Sequence, residues 1–352
     1  MKKICFFMGS IDSTGGTERV AISIANNLVN MGYNVSILAL KGDCRTIFTI
    51  SPQISLKSLN MNKVGFKGYI SAISQIRKFI SKNRINTIIC VESILSLYLI
   101  PKLIPSTKVI CWEHFNFKVN LGRKLRSIAR HYAAFCFNQI ITLTERDKQL
   151  WIKNSKCLAN IEVINNPSTF GITNTYPSLK NKKFLAVGRL VHQKGFDILL
   201  NAWAKSAAPK QGWTLSIVGD GEERIYLKEI IKKFDLSNSV TLEGHSQNMM
   251  SHYQNASFYV MTSRFEGLPM VLLEAQSFGL PILSIDCLTG PSEIIKHGKN
   301  GFLCDSNRIV ELINQVINNT SEEEYIKLVQ NSKCNIQNYD INRIMKKWSE
   351  II

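Results

Sequence analysis

The stretch Ser263-Arg264-Phe265-Glu266-Gly267-Leu268-Pro269-Met270-Val271-Leu272-Leu273-Glu274-Ala275 places two carboxylates, Glu266 and Glu274, with seven residues between them. An apolar run, Phe258 to Met261, leads into it, and Pro269 stands near the first turn of an apolar segment that reads as a helix. Proline suits that position because the amide it lacks would be unpaired anyway. The remaining amides at the helix start form an anion site, with Glu266 on its lip and Glu274 about two turns inside. Taken alone, the stretch fits equally well a strand, a turn and a core helix with two incidental glutamates. Upstream, Gly188-Arg189-Leu190-Val191-His192-Gln193-Lys194-Gly195-Phe196-Asp197 follows another apolar run. Arg189 and Lys194, beside a glycine turn that opens a helix, suit a diphosphate. Two further turns, Gly219-Asp220-Gly221-Glu222 and Glu243-Gly244-His245, follow the next two runs, so the connections converge on one crevice.

The elements that must hold these residues are legible as alternating patterns. In the first half, strand-like runs at Ile4 to Met8, Val35 to Leu40, Thr87 to Val91, Lys108 to Trp112 and Gln139 to Leu143 are separated by helical segments such as Thr17 to Met31 and Tyr69 to Ile80. The second half repeats the plan with Lys183 to Val187, Thr214 to Val218, Val240 to Leu242, Ser257 to Met261 and Pro281 to Ile285. Near-continuous apolar strands between helices predict parallel sheets covered on both faces, an α/β class. The loop Gly9 to Gly16 ends Gly15-Gly16-Thr17-Glu18-Arg19, after the first strand, where open parallel sheets bind ligands. Its paired glycines fit a close backbone approach to a ligand or a tight turn with a helix cap. They do not form G-x-G-x-x-G, so a nicotinamide cofactor gets little support.

Cys111-Trp112-Glu113-His114-Phe115-Asn116 puts a Glu and a His at the carboxyl end of a strand, facing the crevice or serving structure. Beyond it, Lys118, Arg123, Lys124, Arg126 and Arg130 are interleaved with Phe117, Leu121, Leu125, Ile128, Tyr132 and Phe135. That spacing puts cations on one flank of a helix and apolar residues on the other. A buried helix with a solvated basic face gives the same pattern.

A chain of 352 residues with 45% hydrophobic content is long enough for two domains. The aperiodic segment 166–182, rich in Asn, Thr, Ser and Pro, is the expected linker between domains at 1–165 and 183–335. A last helix within 336–352 serves as a terminal cap or crosses back to the first domain. The net charge of +17 is concentrated: residues 1–170 hold 23 Lys and Arg against 8 Asp and Glu. Such a bias points to an anionic partner of the first half. The longest apolar run, Ile94 to Ile104, is cut by Pro101 and Lys102, so no membrane span is expected. The opening Met1 to Met8 is too short for a signal peptide and reads as a first strand. Nine scattered cysteines with no C-x-x-C pair fit reduced thiols in the cytoplasm.

In order and spacing, Gly15-Gly16-Thr17-Glu18-Arg19, the Gly188 to Gly195 segment, Gly219-Asp220-Gly221 and Glu266 to Glu274 resemble the retaining nucleotide-sugar glycosyltransferases of family 4. The likeness covers almost the whole chain. It implies the GT-B fold, two Rossmann-like domains facing a central cleft, and a hexosyltransferase. Arg189 and Lys194 would hold the donor diphosphate, Glu274 the ribose hydroxyls and Glu266 the transferred sugar. Gly267, Leu268 and Pro269 would meet the sugar and phosphate at the helix start. Gly219 and His245 would line the donor site, and Gly15 and Gly16 would close on the diphosphate. His114 would lie near the sugar. With no D-x-D motif, a metal-free mechanism and no cofactor are expected. The resemblance further implies a UDP-hexose or UDP-N-acetylhexosamine donor, GDP-mannose being the alternative. The acceptor would be a saccharide on a polyprenyl diphosphate, in bacterial O-antigen, capsule or exopolysaccharide synthesis. Lys118, Arg123, Lys124, Arg126 and Arg130 would then meet the anionic inner face of the cytoplasmic membrane. A soluble acceptor, as in sugar-phosphate synthases, is the competing reading. A nucleic-acid partner, suggested by a pI near 9.5, leaves the glutamates and glycine turns without a role.

Overall fold

The computed structural model describes residues 1–12, 15–61, 65–174 and 176–352. Ser13 and Thr14 of the glycine loop and Thr175 of the expected linker therefore lie outside the described residues. The chain divides into two units, Met1–Asn166 with Asn342–Ile352, and Pro167–Ile341.

The first unit contains strands β1 (Lys3–Met8), β2 (Asn34–Ala39), β3 (Ser55–Ser58), β4 (Thr87–Val91), β5 (Lys108–Trp112), β6 (Gln139–Thr142) and β7 (Asn160–Val163). They form one parallel sheet in the order β3-β2-β1-β4-β5-β6-β7. Every residue of β4 and β6 is buried, as expected of strands covered on both faces. Phe7, Ile88, Val109 and Ile140 contribute to its core. The order reverses between β1 and β4, which marks the ligand crevice of such sheets at the carboxyl ends of those two strands.

The last helix, Ile341–Ile351, belongs to this unit. Trp348 is fully buried and meets Trp112 edge-on at 4.8 Å. Lys2 and Lys108 donate to the carbonyls of Ile352 (3.0 Å) and Ile351 (2.6 Å), which fixes the chain end beside β5.

The second unit holds β8 (Lys183–Val187), β9 (Thr214–Val218), β10 (Val240–Gly244), β11 (Phe258–Met261), β12 (Ile282–Ile285) and β13 (Gly301–Cys304). All pair in parallel in the order β10-β9-β8-β11-β12-β13. The reversal falls between β8 and β11, the two strands that lead into the Arg189 and Glu266 segments. An aromatic cluster of Phe184, Trp203, Trp213 and Phe258 fills the core beneath them.

Three strands lacked a sequence signal. β3, β7 and β13 are edge strands of four residues with polar or half-exposed side chains. An edge needs no apolar face on both sides, so no apolar run marks it.

Candidate active site

At the switch point of the second sheet, the turn His192–Lys194 after β8 and the loop after β11 are fastened together. Arg264 donates its backbone amide to the Gln193 carbonyl (2.8 Å), and the Gln193 side chain donates to the Phe265 carbonyl (3.0 Å). The Arg264 guanidinium then grips Asp197 in a two-pronged ion pair at 2.8 and 2.6 Å. Gly195 adopts φ +63, and a Cβ there would lie 2.2 Å from the Thr262 carbonyl oxygen, so only glycine permits the close approach. The result is that Lys194 Nζ lies 2.7 Å from Glu266 Oε1. The lysine stem crosses Gly188, where a Cβ would come within 3.3 Å of it.

Glu266 and Glu274 are both buried. The Glu266 carbonyl accepts from Thr289 Oγ1, which anchors the loop before the helix Met270–Ser277. Pro269 is the residue preceding that helix rather than part of its first turn, and no side chain caps the helix. Its first amides are therefore not taken up by a side-chain cap, as an anion site there would require. Glu274 sits little more than one turn inside and accepts from Thr169 Oγ1 and Tyr253 OH, both at 2.8 Å. These two donors fix the carboxylate's orientation.

Gly219, at φ +138, lets the loop after β9 lie against Gly188, whose carbonyl oxygen would stand 1.9 Å from any Cβ. Its amide donates to the Gly244 carbonyl (2.8 Å), so the ends of β9 and β10 meet and exposed His245 follows directly. Arg189 is exposed and has no side-chain partner among the described residues. The second unit therefore brings together Arg189, Lys194, Gly219, His245, Gly267, Leu268, Pro269, Glu266 and Glu274 at one sheet edge. Thr169, Tyr253, Thr289 and the Arg264–Asp197 pair were missed as supports. Only Arg264 and Asp197 lay within segments singled out for their chemistry, Thr169 falling in the expected linker.

The remaining sites are in the first unit. Gly15 and Gly16 are exposed at the start of the helix Gly16–Asn30. His114 is buried against the Trp112 ring (4.5 Å), and its Nε2 has no hydrogen-bond partner among the described residues. Burial lowers its pKa from the ordinary 6.5 to about 4, against the opposing pull of Glu113, so the ring is neutral at physiological pH. Glu113 is structural. It is fully buried, ion-paired to Arg130 at 2.9 Å and bonded by Ser93 and by the amides of His114 and Phe115. Burial opposes its charge, but Arg130 and Ser93 outweigh burial and hold it below the ordinary carboxylate range.

This pairing corrects the expected basic face. Arg130 is fully buried and also donates to the carbonyls of Phe117 and Val119, while buried Arg126 pairs with Glu92 at 3.0 Å. Neither can meet a membrane. Carboxylate and carbonyl partners satisfy Arg130, whereas Nε and Nη1 of Arg126 are buried without a hydrogen-bond partner among the described residues. On the helix Leu125–Cys136 it is Leu125, Ile128 and Phe135 that face out, next to exposed Leu121 and the exposed cations Lys118, Arg123 and Lys124.

Two family descriptions match the chain in succession. Glycosyltransferase Family 4 spans residues 14–168, and Glycosyl transferases group 1 spans residues 174–333. The chain is 36% identical over 359 positions to an uncharacterized glycosyltransferase of Haemophilus influenzae, each chain being covered in full. It is 31% identical over 368 positions to the amylovoran biosynthesis glycosyltransferase AmsD of Erwinia amylovora, again with full coverage of both. Among solved structures, the lipopolysaccharide outer core galactosyltransferase WaaB superposes with a TM-score of 0.80 at 22% identity, over 99% of this chain and 98% of that one. That likeness concerns the fold, GT-B.

The neutral burial of His114 has a measurable consequence. Its folded pKa is below the unfolded one, so the unfolded chain takes up the proton first and stability falls as pH drops from 6.5 towards 4. His114→Gln should lose less stability than the parent over that window in urea unfolding followed at each pH. An identical pH dependence would show that His114 is not buried neutral.

Proposed function

The chain belongs to the glycosyltransferases of family 4 and group 1, and from that premise we propose that it transfers a hexosyl group, with retention of configuration, from a nucleoside diphosphate to a lipid-linked saccharide of a bacterial surface polysaccharide. The observation that carries this reading is the Lys194–Glu266 contact at the sheet's switch point, beside an uncapped helix start. Lys194, Arg189 and the helix amides meet the donor diphosphate and the negative charge that grows as the sugar leaves. Fixed cations and dipoles aimed at developing charge supply most of the rate acceleration in such transfers. They do the work of a divalent ion, so the reaction runs without metal. Glu266 keeps Lys194 in place and faces the transferred sugar, and Glu274, preset by Thr169 and Tyr253, accepts the ribose hydroxyls. Neutral His114 is an uncharged hydrogen-bonding group for the sugar. The preferred donor is a UDP-hexose or UDP-N-acetylhexosamine.

AmsD serves amylovoran biosynthesis, and its likeness over the full length supports a polysaccharide product. The positive first half supports an acceptor carried on an anionic membrane, as a polyprenyl diphosphate-linked saccharide would be. No helix among the described residues is long and apolar enough to cross a membrane. Attachment from the cytoplasmic side is therefore peripheral, through Leu121, Leu125, Ile128 and Phe135 entering the interface and Lys118, Arg123 and Lys124 meeting headgroups.

Lys194→Ala should lower transfer by about a thousandfold or more, followed as nucleoside diphosphate release, with no rescue by magnesium or manganese. Near-normal turnover in that variant would contradict the site. On vesicles containing about one third phosphatidylglycerol, co-sedimentation should fall with added salt and with Ile128→Glu. Binding indifferent to lipid charge, salt and Ile128 would contradict the membrane surface.

A further inference from the structure

The first unit has a cavity of its own at its switch point, of about 370 Å³, where β1 and β4 end. Its wall combines Glu92, Glu18, Lys41 and Arg123 with the ring of Tyr98 and apolar side chains such as Leu95. A pocket of that size is within the range of small-ligand sites, and mixed carboxylates, cations and an aromatic ring suit a saccharide better than a purely apolar molecule.

Glu92, the first residue after β4, is the unusual member. Its backbone sits at φ +86 and ψ 136, a conformation that is strained for any residue but glycine. The surroundings force it: the Glu92 amide donates to the Trp112 carbonyl (2.9 Å), and its carbonyl accepts from the Leu95 amide (3.2 Å) and Cys90 Sγ (3.3 Å). The side chain is three-quarters buried. One carboxylate oxygen is held by Arg126 Nη2 at 3.0 Å, while the other has no partner among the described residues. Arg126 is itself fixed, buried and lying over the Phe115 ring at 4.8 Å. A strained backbone, a clamped carboxylate and an unused acceptor oxygen on a cavity wall go together when a residue is preset for a ligand.

We infer that Glu92 is a specificity-determining residue for the acceptor, its free carboxylate oxygen accepting hydrogen bonds from hydroxyls of the acceptor saccharide in the cavity after β4. The inference rests on the glycosyltransferase reading and extends it to how the acceptor is selected. A carboxylate held by Arg126 meets a hydroxyl in one direction only, so it distinguishes epimers that differ there.

The test uses octyl α- and β-hexosides and N-acetylhexosaminides as acceptors with the nucleotide sugar that the parent enzyme consumes fastest. For the glycoside used best, Glu92→Gln should raise the acceptor KM about tenfold or more, as loss of a hydrogen bond to a charged group does. The donor KM and acceptor-free donor hydrolysis should stay within about twofold. Glu92→Gly removes the carboxylate and relieves the backbone but leaves buried Arg126 without its partner, so it should show the same KM rise with donor hydrolysis again within about twofold, whatever its unfolding temperature. An unchanged acceptor KM in both variants, or a fall in stability and donor hydrolysis together, would assign Glu92 to structure alone and overturn the inference. A parent enzyme that consumes no nucleotide sugar at all would instead defeat the glycosyltransferase reading.

Discussion

Lys194 and Glu266 come from segments far apart in the chain, and their 2.7 Å contact requires the ends of β8 and β11 to be held at one separation. Strand pairing sets the coarse distance. The loops after the strands set the fine one, through the Gln193 bonds, the Arg264–Asp197 clasp and the backbone approach at Gly195. Both partners are largely withdrawn from water, so each stabilises the other's charge, and removing either leaves an uncompensated one. On the proposed reading, a diphosphate entering beside the uncapped helix Met270–Ser277 would meet the Lys194 ammonium already held in place. Little reorganisation is then needed at the moment charge develops.

The first unit solves a related problem with a different pair. Glu113 and Arg130 are fully buried and bonded to each other, to Ser93 and to the Phe117 and Val119 carbonyls. Breaking such a buried pair costs about 3–5 kcal/mol. The network holds the segment after β5 in place and with it His114. It also draws two arginines inward and turns the apolar stripe of the Leu125–Cys136 helix outward. What that helix exposes is apolar side chains flanked by three exposed cations, and the proposed membrane attachment rests on these.

The two sheets were legible because their central strands are apolar on both faces, as in Thr87–Val91 and Lys183–Val187, whose limits match the sequence patterns. The residues expected at the donor site stood out because glycine turns and charges recur at strand ends. Edge strands Ser55–Ser58, Asn160–Val163 and Gly301–Cys304 were not, since their exposed or polar side chains carry no period. Nor was the inward turn of Arg126 and Arg130: cations at helical spacing look alike whether water or a carboxylate from another strand receives them. Tyr253 and Thr169 reach Glu274 across long sequence separations, and Glu92 is distinguished only by its backbone angles.

Fixed cations and amides in the second unit are proposed to activate a nucleoside diphosphate sugar without a metal. Incubation with a panel of UDP- and GDP-linked hexoses and N-acetylhexosamines in excess EDTA, followed as nucleoside diphosphate release, tests this most directly. Release from one donor at an undiminished rate in EDTA, with an α-linked product, is the expected result. Release that requires a divalent ion, or none from any nucleotide sugar, would contradict the proposal.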